Sequence, residues 1–178
     1  MKEPLDHLRS KKKPVRKAVW IAGDSELAEE LSELEAVLSR ARIVSEGARP
    51  DRREAALRDL AAAEEAFAAK KEEVRATSIK FVFQSMGTKS YEELIQAHPP
   101  TETQIKKLKS EGEDQVPFNP ETLPIALIVA SCVEPEMDKA EMHEWLSGDE
   151  WNSFEIMTLF MAATEVNNSR RIINMGKD

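Results

Sequence analysis

Two helical stripes separated by a single break constrain this chain more than any other feature. Leu27, Leu31, Leu34, Leu38 and Ala41 step by 4, 3, 4 and 3 residues. Ala56, Leu60, Ala63, Phe67, Lys70 and Val74 step by 4, 3, 4, 3 and 4. Side chains that recur every 3.5 residues share one stripe of a helix, and an apolar stripe needs a second helix to cover it. The remaining faces of 26–46 are rich in Glu, and Gly47-Ala48-Arg49-Pro50 stops the helix before 51–75 starts again. Two helices of similar length with so short a connection fold back as an antiparallel hairpin. Each arm is roughly 30–35 Å long at ~1.5 Å per residue. Leu31, Leu34 and Leu38 are expected to face Leu60, Ala63 and Phe67. The second stripe is the weaker one, with small residues and one Lys.

Both flanks of this hairpin read as strands. In 15–22, VRKAVWIA, Val15, Val19 and Ile21 alternate, with Arg16 opposite. Trp20 interrupts the alternation and predicts a strand covered on both sides. In 77–84, TSIKFVFQ, Ile79, Phe81 and Phe83 alternate with Ser78, Lys80 and Gln84. A hairpin returns the chain to its starting point, so the loop-closure cost of pairing these strands is already met. A lone ribbon is marginal, and the helices that follow should cover its apolar face. The expected fold class is therefore mainly α with a small two-stranded β-ribbon, an antiparallel helical hairpin inserted between the strands, and a small helical domain after it. The expected divisions are a flexible basic arm at 1–14, the ribbon with its hairpin (26–75) at 15–87, a C-terminal helical domain at 88–168, and a tail at 169–178.

Short helices fill the C-terminal domain. Ser90-x-x-Glu93 and Thr101-x-x-Gln104 read as capping boxes, with His98-Pro99-Pro100 ending the first helix between them. Residues 110–119 read as a loop. Asn119 or Thr122 caps the next helix, and 123–133 is apolar on almost every side, which predicts the central core helix. Leu127, Ile128, Ala130 and Val133 should be among its most buried residues. Asp138-x-x-Glu141 is a third capping box, and a last helix is expected over 151–167.

No constellation for chemistry emerges. His7, His98 and His143 lie far apart, and none has a metal-type partner at helical spacing. There is no Gly-rich phosphate loop and no GxSxG elbow. The lone Cys132 excludes an intrachain disulfide and sits in an apolar run, where a thiol is a poor nucleophile. The sequence thus predicts no enzyme, with no catalytic, metal or cofactor residues. A net charge of −8 argues against a general nucleic-acid binder. The basic cluster Arg9 and Lys11-Lys12-Lys13 reads as a solvated arm. The longest apolar run, 123–133, has 11 residues, against roughly 20 for a membrane-spanning helix. With no signal-peptide core, a cytoplasmic protein is expected.

Binding surface remains. Trp145, Trp151, Phe154, Met157, Phe160 and Met161 make the C-terminal segment rich in aromatic and Met residues. Met side chains adapt to varied apolar partners, and Met-rich surfaces hold helices without strict sequence demands. The plainer alternative is that these residues close the core of a small helical domain. Trp145, Trp151, Phe154, Met157 and Met161 are the expected partner-binding residues.

Several short motifs occur in a fixed order across 77–168: Tyr91-Glu92-Glu93-Leu94, His98-Pro99-Pro100-Thr101, Asn119-Pro120, Cys132-Val133-Glu134-Pro135 and the segment from Trp145 to Trp151. Their order and spacing resemble the tail assembly chaperones of siphophages that infect actinobacteria. That resemblance implies a protein without cofactor that binds the tape measure protein in the host cytoplasm and is absent from the finished virion. It also implies a longer form of the chain made by ribosomal frameshifting, and contact with the tail tube protein. A tape measure is a long helical chain with apolar stripes, which an acidic protein with an adaptable apolar surface could keep from aggregating. The rival expectation is a non-viral helical adaptor or coiled-coil oligomerisation protein, in which the hairpin drives self-association as a homo-oligomer.

Overall fold

A computed structural model describes residues 13–111 and 118–169. The expected basic arm lies outside them up to residue 12, as do 112–117 of the expected loop and the tail beyond 169. The elements run β1 (Arg16–Ile21), α1 (Ser25–Glu46), α2 (Arg53–Thr77), β2 (Ile79–Gln84), α3 (Thr88–Ala97), α4 (Glu102–Glu111), α5 (Leu123–Ser131), β3 (Cys132–Glu134), α6 (Lys139–Leu146) and α7 (Ser153–Asn168). The described residues are thus mainly helical, with one small antiparallel sheet of three strands in the order β1-β2-β3. Internal contacts divide the chain into two units, Trp20–Lys80 and the remainder. The division falls inside β1 and β2, with Phe81 in the unit that also holds its aromatic partners Trp145 and Trp151.

In the unit Trp20–Lys80, α1 and α2 pack on each other along the two stripes. Leu38, Ala56, Ala63 and Val74 are buried, and Leu27, Leu31, Leu34, Ala41, Leu60 and Phe67 are half-buried between exposed neighbours. Ion pairs fix the direction. Lys70 Nζ reaches Glu30 at 2.7 Å, and Arg42 reaches Glu64 at 3.6 Å, so one helix runs up as the other runs down. Lys70 occupies a core position of its stripe yet leaves no uncompensated charge. Its stem lies in the seam while its ammonium meets Glu30 and also Glu73, at 2.7 Å. The hydrogen bonds to Glu30 and Glu73 raise its pKa above the ordinary lysine value. Asp24 caps α1, its Oδ1 accepting from the backbone N–H groups of Glu26 at 2.9 Å and Leu27 at 3.2 Å.

Where the chain enters α1 it passes close to the end of α2. A Cβ on Gly23 would run into the carbonyl oxygen of Thr77. Backbone atoms cannot move aside as a flexible side chain can. Gly23→Ala is therefore expected to destabilise the protein by about 1–3 kcal/mol, as overpacking does elsewhere, seen as a lower urea midpoint with an unchanged slope.

β1 alternates cleanly, with Arg16, Ala18 and Trp20 exposed and Lys17, Val19 and Ile21 turned inward. This corrects the expectation of a strand covered on both sides. β1 is an edge strand with one packed face, and the ring of Trp20 is covered by cations instead of a second layer. The Arg75 guanidinium lies 4.7 Å and the Lys80 ammonium 5.8 Å from its centroid.

The second unit contains a strand that the sequence reading lacked. The apolar run 123–133 is not one helix: α5 ends at Ser131, and β3 pairs antiparallel with β2, Val82 opposite Glu134 and Phe83 opposite Cys132, across an irregularity. Val133, expected in the core, is 42% exposed. An apolar run has no period that separates a helix from a strand at its end, and Pro135 biases Glu134 toward extended backbone. Leu127 and Ile128 are buried as expected, and Ala130 is half-buried. Replacing Ile128 by Ala should cost about 2–5 kcal/mol by chemical denaturation, while Val133→Ala should have little effect.

Buried and half-buried polar groups tie the helices together. Asn167 Oδ1 accepts from Met86 N–H at 2.7 Å, and its Nδ2 donates to Ser131 Oγ at 3.2 Å and to the Ala163 carbonyl at 2.8 Å. Asn119 donates its N–H to the His98 carbonyl at 2.7 Å, and its Oδ1 accepts from Gln104 Nε2 and Glu121 N–H. The Asn119 carbonyl accepts from Leu123 N–H at 3.1 Å, so this residue organises the entry to α5 although Thr122 stands at the cap. Among the capping boxes, Thr101 and Gln104 bond reciprocally. Asp138 caps Ala140. Ser90 does not cap, because α3 has already begun at Thr88. The box that opens α7, Asn152 with Glu155, was missed.

Candidate partner-binding surface

α7 presents two different faces. Leu159, Ala162, Ala163 and Val166 are buried, and the helix packs chiefly against α5. Phe154, Met157 and Met161, at i, i+3 and i+7, form a stripe on the outward side. They are 81%, 49% and 64% exposed. The Asn152–Glu155 box fixes the start of this helix. Asn152 Oδ1 accepts from Phe154 and Glu155 N–H, each at 3.0 Å, and Glu155 Oε2 accepts from Asn152 N–H at 2.9 Å. Phe154, the most exposed of the three, thus sits on a capped first turn.

Trp145 and Trp151 are placed differently. Both are half-buried around Phe81, itself fully buried on β2. Phe81 stacks on Trp145 with ring centroids 6.0 Å apart and meets Trp151 edge-on at 5.7 Å. The two indoles meet edge-on at 4.9 Å. These are interior geometries. The two tryptophans hold β2 to the segment joining α6 and α7, and the plainer packing reading applies to them. Trp151 Nε1 is buried without a hydrogen-bond partner among the described residues. Phe160 likewise turns inward, edge-on to Phe118 at 6.2 Å. The five expected residues therefore separate into an interior pair and an exposed trio.

The same division could not be read from the sequence, because α7 carries large apolar residues around most of its circumference. One signal was available. The buried face of α7 uses Leu, Ala and Val, whereas its outward face uses Phe and Met.

The described residues contain no group of three or more His, Cys, Asp or Glu side chains placed to hold a metal ion. Burial raises the pKa of the Cys132 thiol above its ordinary value, and its Sγ lies 3.0 Å from the Glu134 carbonyl oxygen. No helix among the described residues is long and apolar enough to cross a membrane. Comparisons with protein-family models, curated proteins and solved structures find no match for the chain.

Proposed function

We propose that this protein is a tail assembly chaperone of the siphophage type, which binds an apolar helical segment of a tape measure protein. The observation that carries the reading is the exposed stripe Phe154, Met157 and Met161 on a helix whose opposite side is already packed in the core. Large apolar side chains at i, i+3 and i+7 match the spacing with which one helix grips another. Two of the three are Met, whose flexible side chain adapts to stripes of varying sequence. A net charge of −8 keeps such a protein dispersed while the stripe is engaged. Trp145 and Trp151 pack on Phe81 and do not belong to this stripe. In this reading the helical hairpin inserted between paired strands is a second contact arm. The protein acts in the host cytoplasm, stays out of the finished virion, and shares its partners, including the tail tube protein, with a frameshifted longer form. No catalysis is involved.

A second reading, a helical adaptor that self-associates, is favoured by the outward side chains of α1 and α2. Val37, Ile43, Val44 and Leu57 are all exposed large apolar residues. Co-expression with a tape measure protein encoded beside this chain separates the two. The chaperone reading predicts a soluble complex of the two proteins. A tape measure that stays insoluble, beside a chain that elutes as a homo-oligomer, establishes the adaptor instead.

A further inference from the structure

A groove of about 510 Å3 opens at the strand end of the hairpin, lined by Trp20, Ala22, Leu31, Lys71, Val74 and Arg75 among others. It lies wholly within the unit Trp20–Lys80. Ligand sites typically span roughly 300–1,000 Å3. Its floor is apolar, with Val74 buried and Leu31 half-buried. Its wall is the ring of Trp20, 39% exposed although it stands on a strand. Its rim is basic. Lys71 and Arg75 line it, and the Lys80 ammonium lies 5.8 Å from the centroid of the Trp20 ring. On a chain of net charge −8, this clustering of cations around an aromatic wall runs against the overall balance. The Arg75 guanidinium meets Glu72 only through an exposed pair at 3.6 Å, which an incoming carboxylate can replace. Trp and Arg are the residue types that dominate binding energy once a partner covers them at an interface.

We propose that this groove docks an acidic peptide segment of a partner protein, one large apolar side chain entering between Trp20 and Val74 while flanking carboxylates meet Lys71 and Arg75. The site is separate from the α7 stripe and does not depend on the chaperone reading. Charge complementarity selects the occupant: Lys71 and Arg75 attract flanking carboxylates and repel a basic peptide.

The test uses the full chain, 15N-labelled, and the indole N–H resonances of Trp20, Trp145 and Trp151, with Trp20 assigned through Trp20→Phe. The probe is a short blocked peptide with one leucine flanked by glutamates. Its control carries lysines in their place. The Trp20 resonance should move saturably with the acidic peptide, less so as salt is added, while the other two indoles stay still. The basic control should leave all three unmoved. Lys71→Glu and Arg75→Glu should each weaken binding at least tenfold. Should charge reversal loosen the hairpin, Lys71→Met keeps the apolar stem and should still weaken it severalfold. The proposal is overturned if Trp20 does not move, if both peptides act alike, or if Lys71→Met binds as tightly as the parent. It is equally overturned if free glutamate shifts Trp20 as strongly as the peptide, which makes this a small-anion site. A Trp20 shift that grows with protein concentration alone also overturns it, by making a second copy the occupant.

Discussion

Phe81→Ala is expected to lower stability by about 3–5 kcal/mol, the usual cost of emptying a buried aromatic site. Phe81 has no exposed surface, and it meets three aromatic rings, Phe83, Trp145 and Trp151. Deleting it removes the transfer energy of one ring and the favourable geometry of three aromatic contacts. The remaining rings belong to separate elements and cannot close the space together, so the cavity term should persist. Urea denaturation measures the loss. Near-UV circular dichroism should show a weaker tryptophan signal, since Trp145 and Trp151 lose the ring that orders them. A loss under ~1 kcal/mol would mean that these aromatics do not form the core of the C-terminal unit, and it would return Trp145 and Trp151 to the set of contact residues.

The hairpin was the most readable part of the sequence because its signal is periodic and its geometry local. The positions of α1 and α2 that the stripes select are the ones the structure turns inward, Lys70 included. β3 was not readable, since Leu123 to Val133 is a run without polar residues except Ser131 and one period fits it as well as another. What ends α5 is pairing of Cys132 and Glu134 with β2, a tertiary event some fifty residues removed in sequence. The exposed stripe of α7 was half readable. Composition singled out Trp145, Trp151, Phe154, Met157 and Met161 together, and three of these five are exposed. Burial of an aromatic is decided by what lies opposite, and nothing around Trp145 or Trp151 announces Phe81 as their neighbour. The groove beside Trp20 was missed altogether. Its lining residues come from β1, α1, α2 and the segment after α2, and they meet only when the hairpin closes.

The second large effect concerns α7. Phe154→Ser, Met157→Ser and Met161→Ser combined should leave folding nearly unchanged, since substitutions at exposed positions usually fall within about 0.5 kcal/mol each. Binding should suffer far more. Only the few anchor residues at the centre of an interface cost more than about 1 kcal/mol each when truncated; with Phe154, Met157 and Met161 as those anchors, losing all three should weaken the complex by roughly a hundredfold or more. The direct measurement is titration of a soluble tape measure fragment into the parent and into the triple variant, with thermal melts confirming that both are folded. The account predicts tight binding by the parent and at least a hundredfold weaker binding by the folded variant. Equal affinity for the two would contradict it, and the outward face of α7 would then not be the surface that holds the partner.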